Sequence, residues 1–417
     1  MSKVYKPKVL DLFCGAGGLS LGFQNAGCQI LGGIEINPHA VKTHHKNFSD
    51  TIIDLPATDI TQLDLNQISL KQDEIDILIG APPCQVFSAV GIGKMRHLGR
   101  MPEDDPRSLL YLHFVEFLNY FRPHFFVMEN VNTLKNKPIF SRMCEELSNG
   151  TRGIKKGYPG YDIEYQILLS ADYGVPQLRK RLFVIGKRKD TNFKLIFPEK
   201  ISSSEYVSVG QAISDLPELN PICMPLGNRR GRSKQIDDEK PYLFAPNNPY
   251  QKKMRLAKQK DEGILNHICR SHNDLDLQIF GVMKQGDLYR DIPDEFKRYR
   301  SDIFEDKYKR LRWDKPSWTL TAHMKKDGLA YIHPTQTRSI SVREAARLHS
   351  FPDDFIFDVP MTAMFELIGN SVPPLMAEAI ANPIVRQLQA YYQSKSPIVD
   401  MTEERVKQLR RSKSTYG

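Results

Sequence analysis

The 417-residue chain carries 58 Lys and Arg against 49 Asp and Glu, for a formal net charge of +9 and a pI near 9.0. Its length suits two compact domains better than one, and 41% hydrophobic with 26% charged residues describes a soluble globular protein with ordinary cores. No apolar run approaches the roughly 20 residues that span a bilayer, and the polar start from Met1 to Pro7 gives no secretory signal.

Six cysteines, at positions 14, 28, 84, 144, 223 and 269, are scattered without a Cys-x-x-Cys pair. They suggest neither a zinc site nor a disulfide framework, so no metal is expected. A reducing cytoplasm would leave each thiol free for chemistry. The basic excess favours a polyanionic partner, because neutralising phosphates releases condensed counterions.

The first half alternates short apolar runs with helical patterns, which predicts an α/β layer fold with a doubly wound, mostly parallel sheet. Strands are read at Lys8 to Phe13, Gln29 to Ile36, Ile75 to Gly80, Phe125 to Glu129, Tyr165 to Leu169 and Arg181 to Ile185. A helix is read at Leu109 to Phe121. Near Asp190 the rhythm stops. From there to about His333 the chain is rich in Pro, Asn, Lys and Arg and has no clean period. Within 228–260 ten cations face only Asp237, Asp238 and Glu239, with Tyr242, Phe244 and Tyr250 among them.

Order returns at Ser341, which with Glu344 forms a capping box for a helix from Val342 to His349, stopped by Phe351-Pro352. A last helix covers about Pro374 to Tyr392, and the tail from about 403 is polar and basic. The simplest organisation is one α/β domain in two pieces, 1–188 and 335–417. A smaller irregular domain, 189–334, is inserted between them.

Val9 to Ser20 reads as a strand, a glycine-rich turn and the start of a helix. Gly15, Gly17 and Gly18 would let backbone approach a ligand without a Cβ in the way. Ser20 stands where the dinucleotide fingerprint has its third glycine, which disfavours a nicotinamide cofactor. Glu35, ending the second strand, lies where an acidic side chain accepts ribose hydroxyls in doubly wound folds. Together these features point to an adenosine-containing ligand with no phosphate cradle.

After the third strand comes Ala81-Pro-Pro-Cys-Gln, whose two prolines stiffen the chain and set Cys84 at a carboxyl strand end. Open α/β sheets put their chemistry there. The fourth strand ends in Glu129-Asn130-Val131, and Gln177-Leu-Arg-Lys-Arg181 leads into another strand with three cations.

In this order the motifs resemble those of the bacterial DNA cytosine-5 methyltransferases of restriction-modification systems. The resemblance rests on Asp11-Leu-Phe-x-Gly-x-Gly-Gly, Pro82-Pro-Cys-Gln85, Glu129-Asn-Val131, Gln177-x-Arg-x-Arg181, Arg343-Glu-Ala-Ala-Arg-Leu348 and Gly369-Asn-Ser-Val-Pro-Pro374. It covers the chain from Asp11 to Pro374, close to its whole length. It implies site-specific transfer of a methyl group from S-adenosylmethionine to carbon 5 of cytosine in double-stranded DNA. It also implies functional pairing with a cognate restriction endonuclease.

The chemistry suits these residues. Carbon 5 of cytosine is a poor nucleophile until something adds at carbon 6, and a thiolate both adds and leaves well. Cys84 would be that group, and Glu129 would protonate ring nitrogen 3. The resemblance implies that Arg181 holds the cytosine carbonyl oxygen and that Arg179 lies nearby against phosphate or loop. It places Phe13 at the adenine or sulfonium, Asp59 and Ile60 at the adenine, Pro82 and Leu110 along the pocket, and Asn370 and Ser371 closing the site. No side chain identifies itself as the base for the carbon 5 proton.

The target base must leave the stack to be reached. Ser88 to Arg107, with Gly91, Gly93 and Gly99 as hinges and Lys94, Arg96, His97 and Arg100 for an anion, reads as a lid. The inserted segment would be a target-recognition domain, supplying base and phosphate contacts. Two alternatives remain at this point. A related transfer-RNA methyltransferase has the same layout without a large insert. A catalytically inactive DNA-binding relative would have no need of Cys84, Glu129 and Arg181 together.

Overall fold

Strict alternation of side chains across a central sheet divides the apolar residues between two cores. Val9, Ile77, Ile79, Phe125, Val127, Phe183 and Ile185 face one core, and Leu10, Leu12, Leu78, Phe126, Met128, Leu182 and Val184 face the other. Each strand is therefore apolar on both faces, as a sheet covered by helices on both sides requires. The computed structural model describes residues 4–49, 51–53, 55–83, 109–151, 156–220, 239–242, 244–257, 262–297 and 307–395.

The strands are β1 (Lys8–Leu12), β2 (Gln29–Ile34), β3 (Ile77–Gly80), β4 (Phe125–Val131), β5 (Tyr161–Leu169), β6 (Gln177–Leu178), β7 (Lys180–Arg188) and β8 (Ser317–Trp318). The helices are α1 (Gly18–Asn25), α2 (Pro38–Asn47), α3 (Tyr111–Phe121), α4 (Pro138–Asn149), α5 (Val209–Ile213), α6 (Pro249–Met254), α7 (Asp274–Val282), α8 (Val342–Leu348), α9 (Met361–Asn370) and α10 (Pro374–Lys395). The main sheet runs β2-β1-β3-β4-β7-β5. β2, β1, β3 and β4 are parallel, and β7 pairs antiparallel with both β4 and β5. The predicted doubly wound, mostly parallel α/β sheet is thus the observed one.

Element ends differ from the sequence reading where short-range pattern misleads. β2 stops at Ile34 because Glu35 turns its carboxylate onto the amides of Ile36 and Asn37. β3 starts at Ile77, since Asp76 instead accepts hydrogen bonds from the Lys8 amide and the Tyr5 and Tyr392 hydroxyls. β5 begins four residues before the predicted Tyr165, with exposed Glu164, Tyr165 and Gln166 on the sheet edge, where polar alternation hides the strand. The capping box of α8 is present, with Ser341 and Glu344 exchanging bonds with each other's amides.

The aperiodic middle of the chain does not pack apart from the sheet. Val209, Ala212, Ile213, Tyr250, Met254, Ile264, Leu311 and Leu320 share the core of α1, α8, α9 and α10. A second, smaller core of Ile279, Phe280, Met283, Tyr289, Ile292, Tyr308 and Ile332 belongs to this segment alone.

Polar ties reinforce the junction. Fully buried Arg347 donates to Asp353 at 2.7 and 2.6 Å and to Asp215 at 2.8 and 3.2 Å. It thereby locks α8 to the end of α5. Beside the main sheet, β6 pairs in parallel with β8, Gln177 opposite Ser317 and Leu178 opposite Trp318.

Candidate active site at the carboxyl edge of the sheet

The chain goes from β1 outward to β2 and then returns to place β3 on the other side of β1. This is a topological switch point, where connections diverge and leave a crevice at the carboxyl ends of the strands. Register brings those ends level, with Leu12 opposite Gly80 and Gly80 opposite Met128. The turn after β1, the Ala81-Pro82-Pro83 segment after β3 and Glu129 in β4 therefore share one edge.

Glu129 and Arg181 meet because β4 and β7 are antiparallel. Glu129 faces Phe183 and Val131 faces Arg181, so Glu129 and Arg181 are diagonal neighbours on one face. Their carboxylate and guanidinium Nε are 3.0 Å apart, with side-chain exposures of 9% and 15%. Burial raises the Glu129 pKa above its ordinary value, opposed by the charges of Arg181 and Arg179. Burial also works against the charge on Arg181, which Glu129 supports. The result is a desolvated carboxyl beside a cation, suited to holding or delivering a proton.

Next to Glu129, the Asn130 amide donates to the Pro82 carbonyl at 3.2 Å, while its oxygen accepts the Val131 amide at 2.8 Å. Asn130 thus ties the Glu129 strand end to the segment leading to Cys84. Cys84 itself, and the expected lid at 88–107, lie outside the described residues, as do most of the ten cations of 228–260 and the basic tail.

Of the two partners expected for Arg179, phosphate or loop, the contacts seen are to backbone carbonyls. Arg179 is fully buried, and its guanidinium donates to the carbonyls of Leu320 at 2.7 Å, Gly369 at 3.0 Å and Ser371 at 3.1 Å. It fastens the return segment and the β8 region onto the start of β7.

On the cofactor side, Phe13 and Gly15 adopt left-handed backbone with φ of 57° and 56°, which turns the chain sharply after β1. A Cβ on Gly15 would point into open space. Gly17 and Gly18 serve packing rather than open access. A Cβ on Gly17 would strike the Phe48 ring, and one on Gly18 would land on the Val372 carbonyl and 3.2 Å from the Ser371 Cβ. The glycines at 17 and 18 therefore let the turn close against α2 and against the Asn370-Ser371 segment.

Glu35 accepts the Gly15 amide at 3.0 Å as well as the Ile36 and Asn37 amides at 2.9 Å, so its carboxylate braces the turn. Asp59 is exposed, and its side chain accepts from the Thr61 amide and hydroxyl, which lowers its pKa. Ile60 is buried, Leu110 and Glu35 are half-buried, and Asn370 is exposed at the end of α9. Ser371 is buried, its hydroxyl donating to the Leu367 carbonyl.

One buried group under this turn is read in the sequence only as the start of a motif, with no role of its own. Asp11 is fully buried and accepts the Ser20 hydroxyl at 2.6 Å, and Ser20 lies 3.2 Å from the His44 Nε2. Desolvation pushes the Asp11 pKa up to about 7 and the His44 pKa down to about 3. Ser20, in the place of a third glycine, was the visible signal. Among the described residues, no cluster of His, Cys, Asp and Glu could hold a metal ion, and no helix is long and apolar enough to cross a membrane.

A switch point with a braced turn after β1 and the buried Glu129 carboxyl on the same sheet edge suits an α/β methyl-transfer enzyme of the S-adenosylmethionine-dependent type. The chain matches the C-5 cytosine-specific DNA methylase family over residues 7–386. It is 35% identical to the Haemophilus parahaemolyticus type II methyltransferase M1.HphI, over 90% of this chain and 86% of the relative. It is 34% identical to the Desulfomicrobium norvegicum type II methyltransferase M.DdeI, over 90% of this chain and 88% of that protein. A prophage-encoded E. coli protein assigned as a DNA modification methyltransferase superposes with a TM-score of 0.70 and 27% identity, covering 92% of this chain and 99% of that structure. The chain belongs to the C-5 cytosine-specific DNA methylase family. It is a site-specific DNA cytosine-5 methyltransferase that uses S-adenosylmethionine.

Proposed function

We propose that this enzyme methylates a flipped-out cytosine through a covalent adduct on Cys84. The observation that carries the reading is the buried Glu129–Arg181 pair, whose neighbour Asn130 holds the Pro82 carbonyl two residues before Cys84. The Cys84 thiolate adds to carbon 6 while Glu129 delivers a proton to ring nitrogen 3, relieving the charge that addition loads on the ring. Arg181 donates to the cytosine carbonyl oxygen and fixes the Glu129 carboxyl. S-adenosylmethionine supplies an electrophilic methyl group for carbon 5. A base, water being sufficient, then removes the carbon 5 proton, ring nitrogen 3 returns its proton to Glu129, and the Cys84 thiolate leaves.

The residues present fit the methyl donor. Gly15 faces open space at the turn, and no phosphate-binding loop is required. Phe13, Gly15, Glu35, Asp59, Ile60, Pro82, Leu110, Asn370 and Ser371 are the residues we assign to hold it. Gly17 and Gly18 let the turn close. Arg179 acts as a positioning residue, through the carbonyls it holds. The segment 189–334 reads the DNA sequence, while 1–188 and 335–417 form the catalytic unit. In the cytoplasm the product would protect DNA from a cognate restriction endonuclease.

The test is transfer of labelled methyl groups to unmethylated genomic DNA by wild type and Cys84→Ser. Wild type is expected to yield 5-methylcytosine and the variant essentially none. Equal label with both proteins would remove the covalent mechanism.

A further inference from the structure

Gln177, His349 and Ser371 come from three distant stretches of sequence and meet in a fully closed polar chain. Gln177 is completely buried, and its Oε1 accepts the Leu320 amide at 3.0 Å. That backbone donor fixes the orientation of the side-chain amide, so Nε2 donates. It reaches the Leu348 carbonyl at 3.1 Å and the His349 Nδ1 at 3.0 Å. On the far side of the ring, His349 Nε2 lies 2.8 Å from the Ser371 carbonyl oxygen, which can only accept.

One arrangement satisfies every atom. Nδ1 accepts, Nε2 carries the proton, and the imidazole is neutral. Burial beside Arg179 and Arg181 supports the neutral form by holding the His349 pKa well below its ordinary value.

The hydrogen bonds therefore run in one direction. They start at the Leu320 amide next to β8, pass through Gln177 and His349, and end on the Ser371 carbonyl. Arg179 closes the ring by donating to both Leu320 and Ser371 carbonyls. The Ser371 turn abuts the cofactor-side loop, because the Gly18 position leaves no room for a Cβ between them.

We propose that His349 is a positioning residue for methyl transfer, holding the Asn370–Ser371 turn in register with the β8 region through its Nε2 proton. This rests on the reading that the Asn370–Ser371 turn closes the S-adenosylmethionine site. The two ring nitrogens have separate duties, and that makes the role separable from mere filling of space. Asparagine at this position keeps an acceptor near Nδ1 but has no donor for Ser371. Glutamine keeps a donor near Nε2.

The experiment measures KM for S-adenosylmethionine, and kcat at saturation, with the full-length enzyme and cognate DNA. Because Arg179 still serves the Ser371 carbonyl, H349N should raise KM about five- to tenfold, the size of one net hydrogen bond, with kcat nearly unchanged. H349Q should return KM to within about twofold of wild type, as retention of the donor requires. A normal KM in H349N, or equal impairment in H349N and H349Q, would overturn the proposal.

If H349N does not fold, Gln177→Asn withdraws the donor from Nδ1 and should raise KM in the same direction. A normal KM there overturns the proposal equally. N370A separates the two layers of the argument. If N370A leaves KM unchanged, the reading of the turn as part of the cofactor site fails and takes the proposal with it. If N370A raises KM while H349N does not, the assignment of His349 alone falls.

Discussion

Replacing Asp11 by Asn should make the enzyme's stability less dependent on pH, and the structure gives the size of the effect. Asp11 is fully buried at the end of β1, and one carboxyl oxygen accepts the Ser20 hydroxyl at 2.6 Å. Desolvation raises its pKa from 3.8 to about 7. The folded state therefore keeps a proton that the unfolded chain releases near pH 4. Between these limits the native state binds more protons, so stability is full below the unfolded pKa and is lost as pH rises through about 7. The difference of about 3 pH units corresponds to roughly 4 kcal/mol at most.

The amide of the Asp11→Asn variant has the same shape as the carboxyl, accepts from Ser20 through its oxygen and carries no proton to lose. Urea unfolding of wild type and D11N without ligand, from pH 5 to pH 8.5, isolates the effect. The two should be closest in stability at the acidic end, with D11N gaining on wild type by a few kcal/mol at pH 8 and above. A difference that is constant across this range would refute the reasoning, because it would show that Asp11 does not titrate on unfolding. Ser20→Ala, which removes the hydroxyl's contacts with both Asp11 and His44, should lower stability by about 1–3 kcal/mol.

Further outcomes follow from other contacts. Glu129→Gln removes the transferable proton beside Arg181 and should slow single-turnover methylation about 10²- to 10⁴-fold, the range for a lost general acid, with DNA binding retained. Gly18→Ala drives a methyl group onto the Val372 carbonyl, and should cost about 1–3 kcal/mol in stability, measured by urea unfolding, with weaker S-adenosylmethionine binding by calorimetry. Asp353→Ala leaves Arg347 buried with only Asp215 as a charge partner and should cost about 3–5 kcal/mol by urea unfolding.

What was legible in the sequence was what short spacing controls. Short continuous apolar runs at Val9 and Leu10, or at Ile77, Leu78 and Ile79, report a strand buried on both faces, and the structure assigns successive residues to opposite cores. The capping box at Ser341 and Glu344 is also a three-residue signal. Long-range partners are not encoded this way. Nothing around Arg179 announces that its guanidinium will be consumed by carbonyls at 320, 369 and 371. The glycines at 17 and 18 look like ligand-facing glycines until Phe48 and Val372 are seen against them. The middle segment reads as aperiodic because α5 and α6 have five and six residues, less than two helical turns each. Their apolar residues nevertheless complete the core beneath α8.

The packing of Val372 against Gly18 has a consequence for synthesis. During translation, the glycine turn leaves the ribosome about 350 residues before the segment that braces it. At roughly 5–20 residues per second the interval is on the order of tens of seconds. During that time the glycine turn lacks the Val372 carbonyl that packs against it in the finished fold. Chains cut short before Val372 would never acquire this brace on the glycine turn.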